Sequence, residues 1–257
     1  MRFVGRAVFV DVLRTALEAS APGRANLVIV EGEPGIGKSA LAAHAVAEWA
    51  VCGDSRRRLW VKADEVAGAA PFHCILTALR REGMPIAAIA VAPPDQEGDA
   101  IAELASARHR LASLIVEEVE RLLAEGPLVL VVDDAHWLDG ATIGLLSQIL
   151  RELYDSPLSI FLTIRPLPQP RELAALLAMR DVVACHVVLP PQPLEELEEV
   201  LLAHGVTTPV ARADLAQAGG NPLYAIELAT ALAAEGAPST TGQLPPLGAT
   251  ILRRLGY

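Results

Sequence analysis

The chain has 257 residues, of which 52% are hydrophobic and 20% charged, which excludes a disordered chain and allows a sizeable core. A net charge of −10 excludes gripping a nucleic-acid backbone through the general field of the protein. The three cysteines, Cys52, Cys74 and Cys185, are odd in number and lack metal or redox spacing, so the expectation is reduced thiols in a cytoplasmic protein. No apolar stretch precedes Arg6 as a signal peptide would, and no run reaches the length of a membrane span.

In chain order, five β-rich and nearly continuous apolar runs stand out: Leu27–Glu31, Leu59–Ala63, Leu128–Val132, Leu158–Ile164 and Val182–Leu189. Such runs predict strands buried on both faces, as in a parallel sheet. Helix-like stretches separate them: Lys38–Val51, Phe72–Glu82, Ala100–Ala124, Thr142–Leu153 and Arg171–Met179. The alternation predicts an open α/β layer fold over residues 1–190. After Pro190 three short helices are expected, Leu194–His204, Val210–Ala218 and Leu223–Glu235, forming a helical lid subdomain over 191–236. The first begins among Glu195, Glu196, Glu198 and Glu199, where carboxylates complement the helix dipole. The remaining 237–257 reads as a linker and the start of a further helical region, and 87–99 as an exposed loop. The run Arg56-Arg57-Arg58 is expected to be a solvated turn.

Chemistry concentrates in two motifs. Gly32-Glu33-Pro34-Gly35-Ile36-Gly37-Lys38-Ser39 matches G-x-x-x-x-G-K-[ST] between a predicted strand and a predicted helix. Glycines at 35 and 37 admit backbone conformations closed to other residues, and amides at the helix N-terminus form an anion nest. Lys38 would neutralise β- and γ-phosphates, and Ser39 would give one oxygen to Mg²⁺. Only one other lysine exists, Lys62, so a lysine within a glycine loop is hard to ascribe to chance. The alternative is a glycine turn that merely caps a helix.

The second motif is Asp133-Asp134 at the end of an aliphatic strand. Buried carboxylates cost several kcal/mol if unpaired, so a metal is the expected reason for them. Asp133 would hold Mg²⁺ opposite Ser39, and Asp134 would act on the attacking water as a general base. The alternative is helix capping. His136 and Trp137 are read as packed turn residues, and Asp139 as the N-cap of the next helix.

These motifs together resemble the STAND branch of AAA+ P-loop ATPases, and in particular the ATPase region of large LuxR-family transcriptional regulators. Phe3-Val4-Gly5-Arg6 is similar to the opening hydrophobic-Gly-Arg box, and Leu130–Asp139 (LVVDDAHWLD) to the acidic motif. Thr163-Ile164-Arg165 resembles the strand end bearing a sensor arginine, and Gly219–Tyr224 the GNPL box. Leu244-Pro245-Pro246 through Leu255 resembles the start of the next helix. The chain departs from the pattern after the opening box, where Ala7-Val8-Phe9 stands in place of an acid. The resemblance implies a five-stranded parallel P-loop fold with a helical lid, ATP or ADP with Mg²⁺ as ligands, and slow hydrolysis that drives a regulatory switch. Base and phosphate contacts are then expected from Val4, Gly5, Arg6, Glu33, Pro34, Gly35, Ile36, Gly37, Lys38, Ser39, Ala40 and Pro222. Catalytic roles fall to Asp134, Lys38 and Arg165, and metal ligation to Ser39 and Asp133. Read locally, Gly219–Pro222 is equally a helix stop followed by a proline-started helix, and Arg165 equally a surface residue at a strand end. Expected partners are nucleotide, a second copy or other domains of a longer chain, and DNA only through a domain lying elsewhere, with no membrane. The same switch attached to another output, a cyclase or kinase, and an ADP-binding scaffold without hydrolysis are the competing functions.

Overall fold

Runs of aliphatic residues at 27–30, 128–132 and 158–164 leave no polar side for solvent, and they occupy the centre of one sheet. In the computed structural model, which describes residues 3–20, 23–53, 55–65, 71–83, 100–166, 168–206 and 210–235, these runs are β1 (Asn26–Glu31), β3 (Leu128–Asp133) and β4 (Leu158–Ile164). The edges are β2 (Arg57–Lys62) and β5 (Val183–Val188), whose burial alternates because they are covered less completely. The order is β2-β3-β4-β1-β5 and every pairing is parallel. The expected parallel five-stranded α/β fold is therefore present. The expected loop at 87–99 and the segment 237–257 lie outside the described residues.

Because side chains alternate across a strand, the sheet divides its apolar residues between two cores. Val28, Val30, Val129, Val131 and Phe161 pack under α1 (Ala7–Glu18) and α2 (Lys38–Val51). Leu27, Ile29, Leu130, Ile160 and Leu162 pack on the other face, with α3 (His73–Arg81), α4 (Ala100–Ala124), α5 (Gly140–Glu152) and α6 (Arg171–Leu177). Asp139 caps α5 as expected, its side chain accepting from the Thr142 N–H at 2.9 Å.

Two local readings change. Helix α1 was not expected, and it supplies Val10, Leu13, Ala16 and Leu17 to the core. Arg56 is not part of a solvated turn. Its guanidinium lies 4.9 Å from the Trp49 ring centre, donates to both oxygens of Glu18 at 2.6 and 2.9 Å, and donates to the Trp49 carbonyl at 2.8 Å. Arg57 and Arg58 are exposed and open β2.

Beyond β5 the described residues form three helices, α7 (Leu194–Ala203), α8 (Arg212–Ala216) and α9 (Pro222–Glu235). They share a small apolar cluster of their own, including Leu197, Leu201, Leu215 and Ala225. Among the described residues no helix is long and apolar enough to cross a membrane.

Candidate functional site

Parallel strands all end on one side of the sheet, and in open α/β folds ligands bind at that edge. Here the edge gathers the loop after β1, the acids after β3 and the end of β4. Gly35 and Gly37 take φ of 76° and 99°, the left-handed region glycine supplies. The turn they make lets α2 start at Lys38, whose side chain folds back over the loop. Its Nζ donates to the carbonyls of Gly32 at 2.8 Å and Glu33 at 3.0 Å. Only 6% of Lys38 is exposed, and burial lowers its pKa, with the nearby Asp134 carboxylate opposing the shift.

Register does the rest. Asp133 lies opposite Lys62 on β2 and ends the strand beside β4. Asp133 Oδ1 accepts from Ser39 Oγ at 2.8 Å and from Thr163 Oγ1 at 2.7 Å. The Asp134 N–H donates to the same Thr163 hydroxyl at 2.8 Å, which holds Asp134 at φ 57°. Positive φ is costly for a side-chain-bearing residue and needs such a tether. Burial, and then the Asp133 charge, raise the Asp134 pKa, while Lys38, Arg165 and Lys62 pull it down.

Arg165 follows the end of β4 with its guanidinium 5.7 Å from the Trp137 ring centre. Its Nε is buried without a partner among the described residues, and its charge acts on Lys38, Asp134 and His136. His136 is packed, as expected. Burial, with Arg165 and Lys38 assisting, lowers its pKa to about 4. Its Nδ1 is 4.0 Å from Asp134 Oδ1, yet a neutral ring at that distance makes neither an ion pair nor a hydrogen bond.

A cavity of about 400 Å³ opens beside the loop. Val4, Arg6, Ile36, Gly37, Ala40 and Pro222 line it, all six among the residues expected to contact nucleotide. Gly5 lines an adjoining cavity of about 590 Å³ that shares Phe3, Arg6, His44 and Gln192 with the first. A Cβ at Gly5 would lie 2.3 Å from Glu196 Oε2, so the glycine accommodates α7. Glu33, Pro34 and Gly35 belong to the loop rather than to the cavity wall. The Pro34 carbonyl accepts from Asn221 Nδ2 at 2.8 Å, and the Gly35 carbonyl from the Leu223 N–H at 3.3 Å.

Hard oxygen donors suit Mg²⁺, which takes one or two protein ligands and fills its shell with phosphate and water. Ser39 and Asp133, in contact through their oxygens, fit that pattern. Among the described residues no cluster of three His, Cys, Asp or Glu side chains offers an all-protein metal cage.

A family model described as an AAA ATPase domain matches residues 2–162, a span that holds the loop, the acidic pair and most of β4. The chain belongs to that family. Its fold agrees with solved AAA-like structures of low sequence identity. The ORC2 protein of Aeropyrum pernix, solved as ADPNP–ADP complexes, gives a TM-score of 0.60 at 16% identity over 92% of this chain and 69% of that one. Cdc6p from Pyrobaculum aerophilum gives 0.60 at 15% over 91% and 64%. A RuvB mutant from Thermotoga maritima gives 0.52 at 16% over 98% and 70%. At these identities the likeness is one of fold, and this chain spans about two thirds of the length of each of these structures. No curated protein matches the sequence.

Sequence reasoning missed several residues of this AAA ATPase domain's site. Thr163 was quoted only as context for Arg165, although a hydroxyl at the end of a buried strand is itself a signal. Asn221, 6% exposed, both caps α9 and holds Pro34, and Asn before Pro is a helix-start signature. Phe3, quoted only as part of the opening box, stacks on His44 at 4.6 Å in the cavity wall, and His44 had no local signal.

Proposed function

We propose that the chain binds Mg²⁺-ATP and hydrolyses it slowly, as the regulatory switch of a LuxR-type transcriptional regulator of the STAND branch. The observation that supports this most is the meeting of Ser39, Asp133 and Thr163 beneath a loop whose lysine is already folded onto it. The narrower LuxR assignment rests on the order of the Gly-Arg, phosphate-loop, acidic, arginine and GNPL boxes.

In this reading, residues 1–190 form the nucleotide domain and 191–236 its lid. Phosphate oxygens replace the Gly32 and Glu33 carbonyls as acceptors for Lys38 and take hydrogen bonds from the amides of Gly35–Ser39. Mg²⁺, held by Ser39 and Asp133, would neutralise charge on the β- and γ-phosphates when bound. Asp134 accepts the proton of the water whose oxygen attacks the γ-phosphorus, as the bond to the leaving ADP oxygen breaks. Its raised proton affinity suits it to that role. Arg165 adds positive charge beside Lys38 where the γ-phosphate stands, and would sense its departure. The base enters the cavity walled by Val4, Arg6, Ala40 and Pro222. Since Asn221 and Leu223 bond directly to the loop, a change in its phosphate load reaches α9 without an intermediary.

Titration of labelled ATP and ADP against wild type and Lys38→Ala tests the reading. Binding by wild type and its loss in the variant are expected; equal affinity in both refutes it.

A further inference from the structure

The walls of the 400 Å³ cavity are mostly aliphatic, with Val4, Ile36, Ala40, Val200 and Pro222 among them, so any polar group there bears on which base enters. Gln192 is such a group. It is 7% exposed, and its position is fixed from both sides. Its backbone N–H donates to the Gly220 carbonyl at 2.8 Å, and a Cβ on Gly220 would come within 2.8 Å of the Gln192 carbonyl oxygen. Its side-chain Nε2 donates to Glu196 Oε2 at 3.1 Å. An ionised carboxylate can only accept, so the amide nitrogen must face Glu196 and the amide oxygen must face away. That oxygen, Oε1, is buried and has no partner among the described residues. Gly5, at φ +72°, leaves the room this pair needs, since its absent Cβ would sit 3.0 Å from Gln192 Nε2.

We infer that Gln192 reads the nucleobase, selecting adenine over guanine, with Glu196 setting the direction of its amide. This deepens the nucleotide-binding reading above and rests on it. Adenine carries an exocyclic amino group, a donor, where guanine carries a carbonyl oxygen. A fixed amide oxygen accepts from the first and opposes the second. Arg6, in the same wall, holds the Pro190 carbonyl through Nη2 at 3.1 Å, and its buried Nη1 has no acceptor among the described residues. Adenine places a ring-nitrogen acceptor beside its amino group, whereas guanine places an N–H beside its carbonyl on the Watson–Crick edge. With the base held in one pose, an acceptor beside the position-6 substituent and a donor beside the ring nitrogen match adenine and oppose guanine at both places.

The test is calorimetric titration of wild type, Gln192→Leu and Glu196→Ala with ADP and with GDP, each protein checked for folding by its thermal transition. Wild type is expected to bind ADP at least about tenfold tighter than GDP. Gln192→Leu should weaken ADP by about tenfold and leave GDP unchanged or tighter, because the adenine contact and the opposition to guanine are lost together. Glu196→Ala frees the amide to turn, so ADP should weaken while GDP tightens. A purely structural role would weaken both nucleotides together, and that outcome in either variant overturns the inference while leaving nucleotide binding intact. If Gln192→Leu does not fold, the Glu196→Ala ratio decides alone, and an unchanged ratio overturns the inference. Wild type that binds neither nucleotide overturns the underlying reading and this inference with it.

Discussion

His136 makes the sharpest prediction about stability. Its side chain is 7% exposed and neither ring nitrogen has a partner among the described residues, so the folded protein keeps the ring neutral. The folded pKa is about 4, below the ordinary 6.5 of the unfolded chain. The sign follows from which state takes up the proton first. As the pH falls below 6.5 the unfolded chain is protonated while the folded one is not, so stability is full above 6.5 and drains away toward 4. Linkage gives a loss of about 2 kcal/mol between pH 7 and pH 5 and about 3 by pH 4, from this one group. Other carboxylates titrate in the same range, so the informative quantity is a difference between proteins. His136→Phe keeps a ring of similar size and removes the titration. Urea unfolding of both proteins without nucleotide, at pH 7 and pH 5, should show wild type losing about 2 kcal/mol more than the variant. Parallel losses would mean that His136 takes up its proton in the folded state at an ordinary pH, and the account of its burial would fail.

The remaining predictions concern the site. Asp134→Asn should keep ATP affinity within a few-fold and slow phosphate release by about a hundredfold, the lower range for losing a general base; an unchanged rate removes Asp134 from the chemistry. In wild type, release should decline with acidification at a higher pH than an ordinary carboxylate would dictate, because burial and Asp133 raise the Asp134 pKa. Gly35→Ala forces a side chain into φ +76° and sets a Cβ 2.8 Å from Leu223 Cβ and 2.9 Å from Asn221 Oδ1. The contact between the loop and α9 should open, with the Leu223 and Tyr224 amides exchanging at least about tenfold faster; unchanged protection would show that the loop and α9 are not sterically coupled.

What the sequence disclosed depended on how local the physics was. Strands β1, β3 and β4 were found to within a residue because burial on both faces leaves an uninterrupted aliphatic run. The phosphate loop was equally plain, since glycine, lysine and hydroxyl each serve one local geometric purpose. Helix α1 was missed for a physical reason: Val8 and Val12 are exposed, so apolar residues occupy both of its sides and blur the period. Arg56 was misread because its carboxylate partner, Glu18, lies 38 residues away and meets it only after α1 and α2 pack together. At Gly5 the sequence could not show that Glu196 on α7 fills the place its Cβ would take. Gln192 had no local signal at all, since its meaning comes from Glu196 fixing the amide and from the cavity beside it.

A switch needs a contact strong enough to hold one state and weak enough to lose it. Swinging a two-state equilibrium from one part in a hundred to ninety-nine takes about 5.5 kcal/mol of differential binding. Helix α9, part of the lid in the proposed switch, meets the phosphate loop through two hydrogen bonds, from Asn221 to Pro34 and from Leu223 to Gly35, each worth about 1 kcal/mol net. Those bonds alone are too weak to lock the lid. Leu223 also covers Gly35, where an added Cβ would lie 2.8 Å from Leu223 Cβ, so packing supplements the two bonds. Lys38 ties the two sides together. While it donates to the Gly32 and Glu33 carbonyls it stiffens the segment that Asn221 and Leu223 grip, and a phosphate that draws it away alters that segment directly. The lid of the proposed switch would therefore respond to the occupant of the loop through the main chain of residues 32–35, with no moving side chain needed between them.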